Sequence, residues 1–188
     1  MGYIIEQLLY GSSVASFKAG RTDIMIAQSL YFKRSFVLRR VTPRFSITTI
    51  DPAKDVQFRC EVRPAYGEDN LLDTSSSPVI SSDWITDDLL PKNDYCQFQF
   101  DGVTVLTPGF YYLCFVPNVQ LRFPIEMSMY SGGNFLGNLI EIQYGTGVYR
   151  NSDSLTIKVD GEWQSGSSVA ISIVKAEIHT STIIQDGS

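Results

Sequence analysis

The sequence predicts an all-β protein, an antiparallel sandwich or barrel, on three observations. Short runs that alternate in polarity or are densely apolar recur along most of the chain. The connectors between them are rich in Gly, Pro, Asn and Ser, the residues that serve turns. No segment sustains a helical period beyond a single turn, so no helix is available to cover a sheet, and sheet must pack on sheet.

Residues 1–23 read as an N-terminal extension, in which residues 4–10 have room for one helical turn before Gly11-Ser12-Ser13 stops it. Predicted strands follow at Ile24–Phe32, Phe36–Ile47, Asp55–Arg63, Tyr95–Phe100, Phe110–Val116, Phe123–Tyr130, Leu139–Tyr144, Leu155–Val159 and Val169–Ile184. The main connectors are Asp73–Ser82 and Ser131–Asn138. Two of the runs change phase. Phe36 and Leu38 share one face, whereas Val41, Phe45 and Ile47 share the other, with the switch at Arg39-Arg40. Val169, Ile171 and Ile173 give way to Val174, Ala176 and Ile178 in the same manner. Side chains alternate strictly along a strand, so each switch requires a β-bulge or an exchange of face.

At 188 residues, the chain suits one domain with a substantial core. Its 44% hydrophobic and 12% aromatic content argues against disorder. The net charge of −5 conceals an asymmetry: residues 1–63 hold ten Lys/Arg and five Asp/Glu, residues 64–188 five and fifteen. Such polarity favours docking of identical copies through complementary fields, unless the folded chain interleaves the two parts. A nucleic-acid partner is disfavoured, because no basic domain or aromatic–basic repeat is present. The N-terminus lacks a basic n-region and a long apolar h-region, so no signal peptide is expected. No run reaches membrane-spanning length either, and membrane insertion is not expected.

Cysteines number three, an odd count that does not suit a disulfide framework. Cys60 shares the apolar face of Val56–Val62, and Cys96 that of Phe98 and Phe100. Tyr111, Leu113 and Phe115 take the inward phase of their strand, which turns Cys114 outward and argues against a Cys96–Cys114 bridge. A Cys60–Cys96 bridge stays open; free thiols acting as small apolar side chains are the simpler reading.

The run Ile26-Ala27-Gln28-Ser29-Leu30-Tyr31-Phe32, then Phe36-Val37-Leu38-Arg39-Arg40-Val41, resembles the opening of a widespread jelly-roll domain family. The likeness continues through Gly67-Glu68-Asp69-Asn70-Leu71, the aromatic strand Tyr95–Phe100, and Leu106-Thr107-Pro108-Gly109-Phe110-Tyr111-Tyr112-Leu113, which matches the hallmark L-x-P-G-x-Y-Y-L. It closes with Tyr144-Gly145-Thr146-Gly147 and Asp153–Val159, covering residues 24–161. This family occurs in phage virion and tail proteins and in bacterial surface proteins, some resembling carbohydrate-binding modules. The resemblance implies an antiparallel jelly-roll β-sandwich over residues 24–161. Chain polarity and the two extensions suggest that the N-terminal segment and a C-terminal strand or extension over 162–188 make subunit contacts. Two tryptophans common in the family are replaced here by Tyr95 and by Tyr149-Arg150-Asn151, so a sugar platform built on them does not carry over.

No motif identifies a reaction. His179 shares strand parity with Lys175 and Glu177, a solvent phase, and no nucleophile elbow accompanies it. Carboxylates cluster at Glu68-Asp69, Asp87-Asp88 and Asp160-x-Glu162, in connectors or at strand ends where acids serve turns and solubility; a glycosidase needs two across a sugar. Gly132, Gly133 and Gly137 lack the Lys-Ser/Thr ending of a phosphate loop. Metal spacing is absent, and no catalytic residue, metal or cofactor is assigned. The candidate ligand or interface residues are Trp84, Tyr130, Tyr144, Tyr149 and Trp163, since aromatic faces anchor protein interfaces and stack on sugars. The expectation is a non-enzymatic phage virion protein, decorating the capsid or building the tail, made in the host cytoplasm. Its partners would be other virion proteins and copies of itself. A carbohydrate-binding host-attachment module is the alternative, and a glycan hydrolase the remote one.

Overall fold

The computed structural model describes residues 3–7, 14–17, 24–47, 55–67, 71–72, 75–119, 125–130, 139–143, 147–151 and 154–164. In chain order the strands are β1 (Tyr3–Gln7), β2 (Val14–Phe17), β3 (Ile24–Phe32), β4 (Phe36–Ile47), β5 (Gln57–Tyr66), β6 (Leu71–Leu72), β7 (Ile80–Ser81), β8 (Ile85–Thr86) and β9 (Asp94–Tyr95). They continue as β10 (Phe98–Gln99), β11 (Val105–Leu106), β12 (Gly109–Pro117), β13 (Ile125–Tyr130), β14 (Leu139–Gln143), β15 (Gly147–Asn151), β16 (Ser154–Leu155) and β17 (Ile157–Trp163). A one-turn 3-10 helix spans Asp87–Leu89.

Two antiparallel sheets pack face to face. One runs β1-β17-β4-β13-β16, with β2 added on β13 and β9, β10 and β11 added on β4; the other runs β15-β14-β3-β12-β5-β6, with β7 and β8 also on β5. The expected all-β sandwich is therefore the fold. Residues 3–7 differ from expectation: they are extended and pair with β17, Tyr3 opposite Gly161, instead of forming a helical turn. An alternating apolar run finds more hydrogen bonds on an open edge than one isolated turn supplies. The Val169–Ile184 run, Ser131–Asn138, Glu68-Asp69, Tyr144 and His179 lie outside the described residues.

The core fills the space between the sheets. Phe32, Phe58 and Phe115 from one sheet meet Phe36, Phe45 and Phe98 from the other, all fully buried. Phe98 meets Phe115 edge-on across the gap at 5.6 Å, and Phe32 stacks on Phe36 at 4.9 Å around the tight β3–β4 turn. Each such side chain contributes roughly 1.5–3 kcal/mol by leaving water. Among the buried polar residues, Gln28 accepts the Leu155 N–H through Oε1 at 2.8 Å and so ties the sheets together. In the hallmark segment the Tyr111 hydroxyl donates back to the Thr107 carbonyl at 3.0 Å, closing the Pro108-Gly109 turn.

The phase change in β4 is a bulge. Asp160 pairs with Arg40 but Gly161 with Leu38, so Arg39 is the extra residue. Phe36 and Leu38 point inward before it, Val41 and Phe45 after it. At Gly161 the two strands approach so closely that a Cβ would run into the Phe36 ring and the Val37 carbonyl. On the other side of β4, residues 101–104 form a loop between β10 and β11. Asp101 accepts the N–H groups of Val103 (2.9 Å) and Thr104 (3.0 Å), and Gly102 takes the left-handed conformation (φ 68°).

All three thiols are free and buried. Cys60 and Cys96 belong to the central core, while Cys114 lies on the opposite face of its sheet with Met25, Ala27 and Tyr112. The Cys60–Cys96 bridge left open by the sequence is not formed. Burial pushes Cys96 up to about 11, against a smaller pull from the Gln97 backbone hydrogen bond. It raises Cys60 too, with Cys114 and Glu61 adding to the effect, and it raises Cys114 despite the nearby Arg63. A thiol that ionises less readily folded than unfolded stabilises fully below its unfolded pKa and loses that contribution as pH rises through the folded value. Stability is therefore expected to hold up to pH 9 and fall between 9 and about 11, measured by urea midpoints across that range. In native buffer a disulfide reagent is expected to label the three thiols only at the rate of unfolding. Rapid native labelling of any of them would contradict their burial.

Candidate functional site

In the second sheet β5 carries the two-residue strands β6, β7 and β8, and its inward residues Phe58, Cys60 and Val62 leave Arg59, Glu61 and Arg63 on the outer face by strict alternation. Glu61 stands between the two arginines and is nearly enclosed, its side chain 3% exposed. Arg59 donates through Nε to Oε1 at 2.8 Å and through Nη2 to the same oxygen in a closer contact. Arg63 donates through Nε and Nη2 to Oε2 at 2.8 and 2.7 Å, and through Nη1 to the Ser76 carbonyl at 2.6 Å. Both carboxylate oxygens are thus filled by charge-assisted bonds, which is what permits burial of the charge.

Trp84 reaches this triad through a second bulge. Ile80 and Ser81 pair with Val62 and Glu61, whereas Ile85 and Thr86 pair with Phe58 and Gln57, so residues 82–84 stand opposite only two residues of β5. Ser82 holds the arch from inside. Its N–H donates to the Cys60 carbonyl at 2.9 Å, while its Oγ accepts the Cys60 N–H at 3.0 Å and donates to the Asp83 carbonyl at 2.9 Å. The side chain therefore stands in for the ladder that the bulge interrupts. Asp83 N–H then reaches the Gln99 carbonyl of the other sheet at 3.3 Å, so the arch joins the two sheet edges. This geometry lays Trp84 beside Arg59, whose guanidinium carbon sits 4.5 Å from the ring centroid. Trp84 stays 40% exposed, and Arg59 30%. The stack contributes about 0.5–1 kcal/mol at such an exposed position.

The same edge segment carries exposed Tyr66, Val79 and Leu89; the other exposed large apolar residues among those described, Val103 and Val105, lie on the 101–104 loop and β11. Trp163 has a different setting. It is half-buried at the end of β17, edge-on to Phe36 at 4.8 Å and to Phe32 at 6.1 Å, with Arg34 over its ring at 5.3 Å. Tyr130 ends β13 opposite Ser154, and Tyr149 lies in β15 opposite Glu141. Strands β14, β3 and β12 separate β15, which carries Tyr149, from β5 beside Trp84, while Tyr130 and Trp163 belong to strands of the other sheet. Of the acidic clusters, Asp160 pairs with Arg40 at 2.5 Å and Glu162 with Arg39 at 2.8 Å, flanking the β4 bulge, and Asp88 lies exposed on the 3-10 turn.

The sequence singled out Trp84 but not Arg59, Glu61 or Arg63. The signal was available: charged residues at i, i+2 and i+4 of a strand share one face, and an opposite-charge sequence there makes a ladder. No family model matches the chain, and no curated protein matches it.

Proposed function

We propose that this chain is a non-enzymatic structural protein of a phage virion, decorating the capsid or forming part of the tail through protein–protein contacts. The family resemblance of residues 24–161 supports the setting. The observation that supports the contact role is the Arg59–Trp84 stack on a bulged sheet edge. Tryptophan and arginine are the residue types most enriched where interfaces concentrate their binding energy. Here they are held by Glu61 and by the Ser82 arch before any partner arrives, which reduces the ordering cost of association.

The test is incorporation into particles with Trp84→Ala. This substitution removes an exposed ring, so the urea midpoint is expected to shift by no more than about 1 kcal/mol equivalent. Incorporation, read by co-sedimentation with particles, is expected to fall about tenfold or more, as for truncation of an interface anchor. Normal incorporation of the stable variant would remove the support for this role. A second reading, a glycan-binding attachment module, draws on the same exposed ring; it requires a sugar to quench Trp84 fluorescence and a loss of that response in Trp84→Ala.

A further inference from the structure

We infer that the Val169–Ile184 segment docks on the outer face of the second sheet of its own chain, as a strap across β3, β12 and β5. The inference does not rest on the virion reading. It gives this segment an occupation other than the subunit contacts that the sequence suggested for residues 162–188.

Alternation turns Met25, Ala27 and Ser29 of β3, Tyr112 and Cys114 of β12 and Glu61 of β5 away from the central core, yet all six are buried. Register places Ala27 beside Cys114 and Cys114 beside Glu61, with Ser29, Tyr112 and Arg63 in the next row. A tyrosine or methionine on the free face of an antiparallel sheet keeps much of its side chain in water. Here Tyr112 and Met25 are each 3% exposed. The apolar neighbours packed on this cluster, Ala65, Leu72 and Val116, belong to β5, β6 and β12. They flank it in the plane of the sheet and do not roof it, and the other sheet lies on the opposite side. The roof is therefore supplied from outside the described strands, and since the burial arises within one chain, it belongs to that chain. It stops short of Arg59 and Trp84, which keep 30% and 40% exposure.

Position, length and pattern select Val169–Ile184 as that roof. The Gln164 N–H donates to the Ser35 carbonyl at 2.9 Å and Trp163 meets Phe32 edge-on, so β17 delivers the chain to the end of β3. Fully extended, the segment reaches roughly 50 Å, ample for the roughly 10 Å that separates β3 from β5. The other stretches between described strands are at most eight residues long, 131–138, and are tied at both ends. Val169, Ile171 and Ile173, then Val174, Ala176 and Ile178, give the segment one apolar side, with Lys175, Glu177 and His179 opposite. A layer lying between an apolar face and water needs that division. It also needs partners for its buried main-chain groups, because no ladder receives them. The row Ser29, Tyr112 and Arg63 supplies two hydroxyls and a guanidinium, and each of the three carries a further interaction beyond those given above.

Cys114 reports on the strap, because it lies under the roof while Cys60 and Cys96 lie in the central core and serve as internal references. The experiment labels thiols with a disulfide reagent in native buffer and assigns them by peptide mass, in the full chain and in protein lacking residues 165–188. In the full chain all three are expected to react slowly. Without the strap, Cys114 is expected to react about tenfold or more faster than Cys60 and Cys96, since local exposure then costs less than global unfolding. Should the shortened protein fail to fold, two substitutions in the full chain decide the matter. Ile171→Asp, on the apolar side, is expected to speed Cys114 selectively, and Ser172→Asp, on the other side, to leave its rate unchanged. Cys114 as slow as Cys60 in folded shortened protein, or equal effects of the two substitutions, overturns the proposal. Protection of Cys114 that grows with protein concentration places the cover on a second copy and overturns the assignment to the same chain.

Discussion

Gly161→Ala is expected to destabilise the protein by about 3 kcal/mol, at the upper end of what overpacking costs. The added Cβ meets the ring of Phe36 and the carbonyl of Val37, neither of which is the free end of a flexible side chain. Phe36 is fully buried, stacked on Phe32 and held edge-on by Trp163, so its ring has nowhere to swing. The sign is informative, because replacing glycine by alanine in an unobstructed strand is expected to raise stability by about 0.4–1 kcal/mol through the unfolded chain. Urea unfolding at constant slope measures the difference directly. A midpoint equal to or above that of the unaltered protein would show that β17 and β4 can move apart at the bulge.

Glu61→Ala is expected to produce the other large loss, again about 3 kcal/mol, the low end for breaking a buried pair because Arg59 retains partial access to water. Arg63 is the more damaged partner. Its side chain is only 12% exposed, and it would keep the Ser76 carbonyl but lose both bonds to the carboxylate. Truncation removes the carboxylate that both guanidinium groups share, whereas replacing the pair together, Glu61→Leu with Arg63→Met, is expected to recover most of the loss. A second readout separates stability from the Arg59–Trp84 stack: with its anchor gone, Arg59 leaves the Trp84 ring, and the Trp84 indole signal shifts while that of Trp163 does not. A loss below about 1 kcal/mol would place the triad among ordinary surface ion pairs.

Local alternation made much of this fold legible. Period two in Tyr111–Phe115 separated the inward Tyr111, Leu113 and Phe115 from Cys114, and the structure keeps that division between two apolar clusters. The phase switch at Arg39-Arg40 located the β4 bulge before its partner strand was known. What resisted reading was pairing that depends on distant residues. Tyr3–Gln7 forms a strand because β17 offers an edge, which no feature of residues 1–23 reveals. Ser81-Ser82-Asp83-Trp84 looks like part of a polar connector, yet Ser82 is buried and takes over two main-chain bonds of Cys60. The Arg59–Trp84 stack was half legible for the same reason: Trp84 stood out by type, but its neighbour Arg59 is 25 positions earlier and is brought to it only by the bulged register.

Ending the second sheet in strands of two residues has a consequence for how this molecule multiplies. Strand addition from another chain needs several consecutive main-chain donors and acceptors in line. On β5 the carbonyls of Val62 and Cys60 are occupied by Val79 and Ser82, and the Cys60 amide by the Ser82 hydroxyl. Fibre-like growth by backbone templating is thereby disfavoured on this side, and a chain docking there would meet side chains instead of a free ladder. Side chains change one at a time without disturbing the ladder beneath them. Substitutions on the outer side of this edge would therefore leave the scaffold fixed.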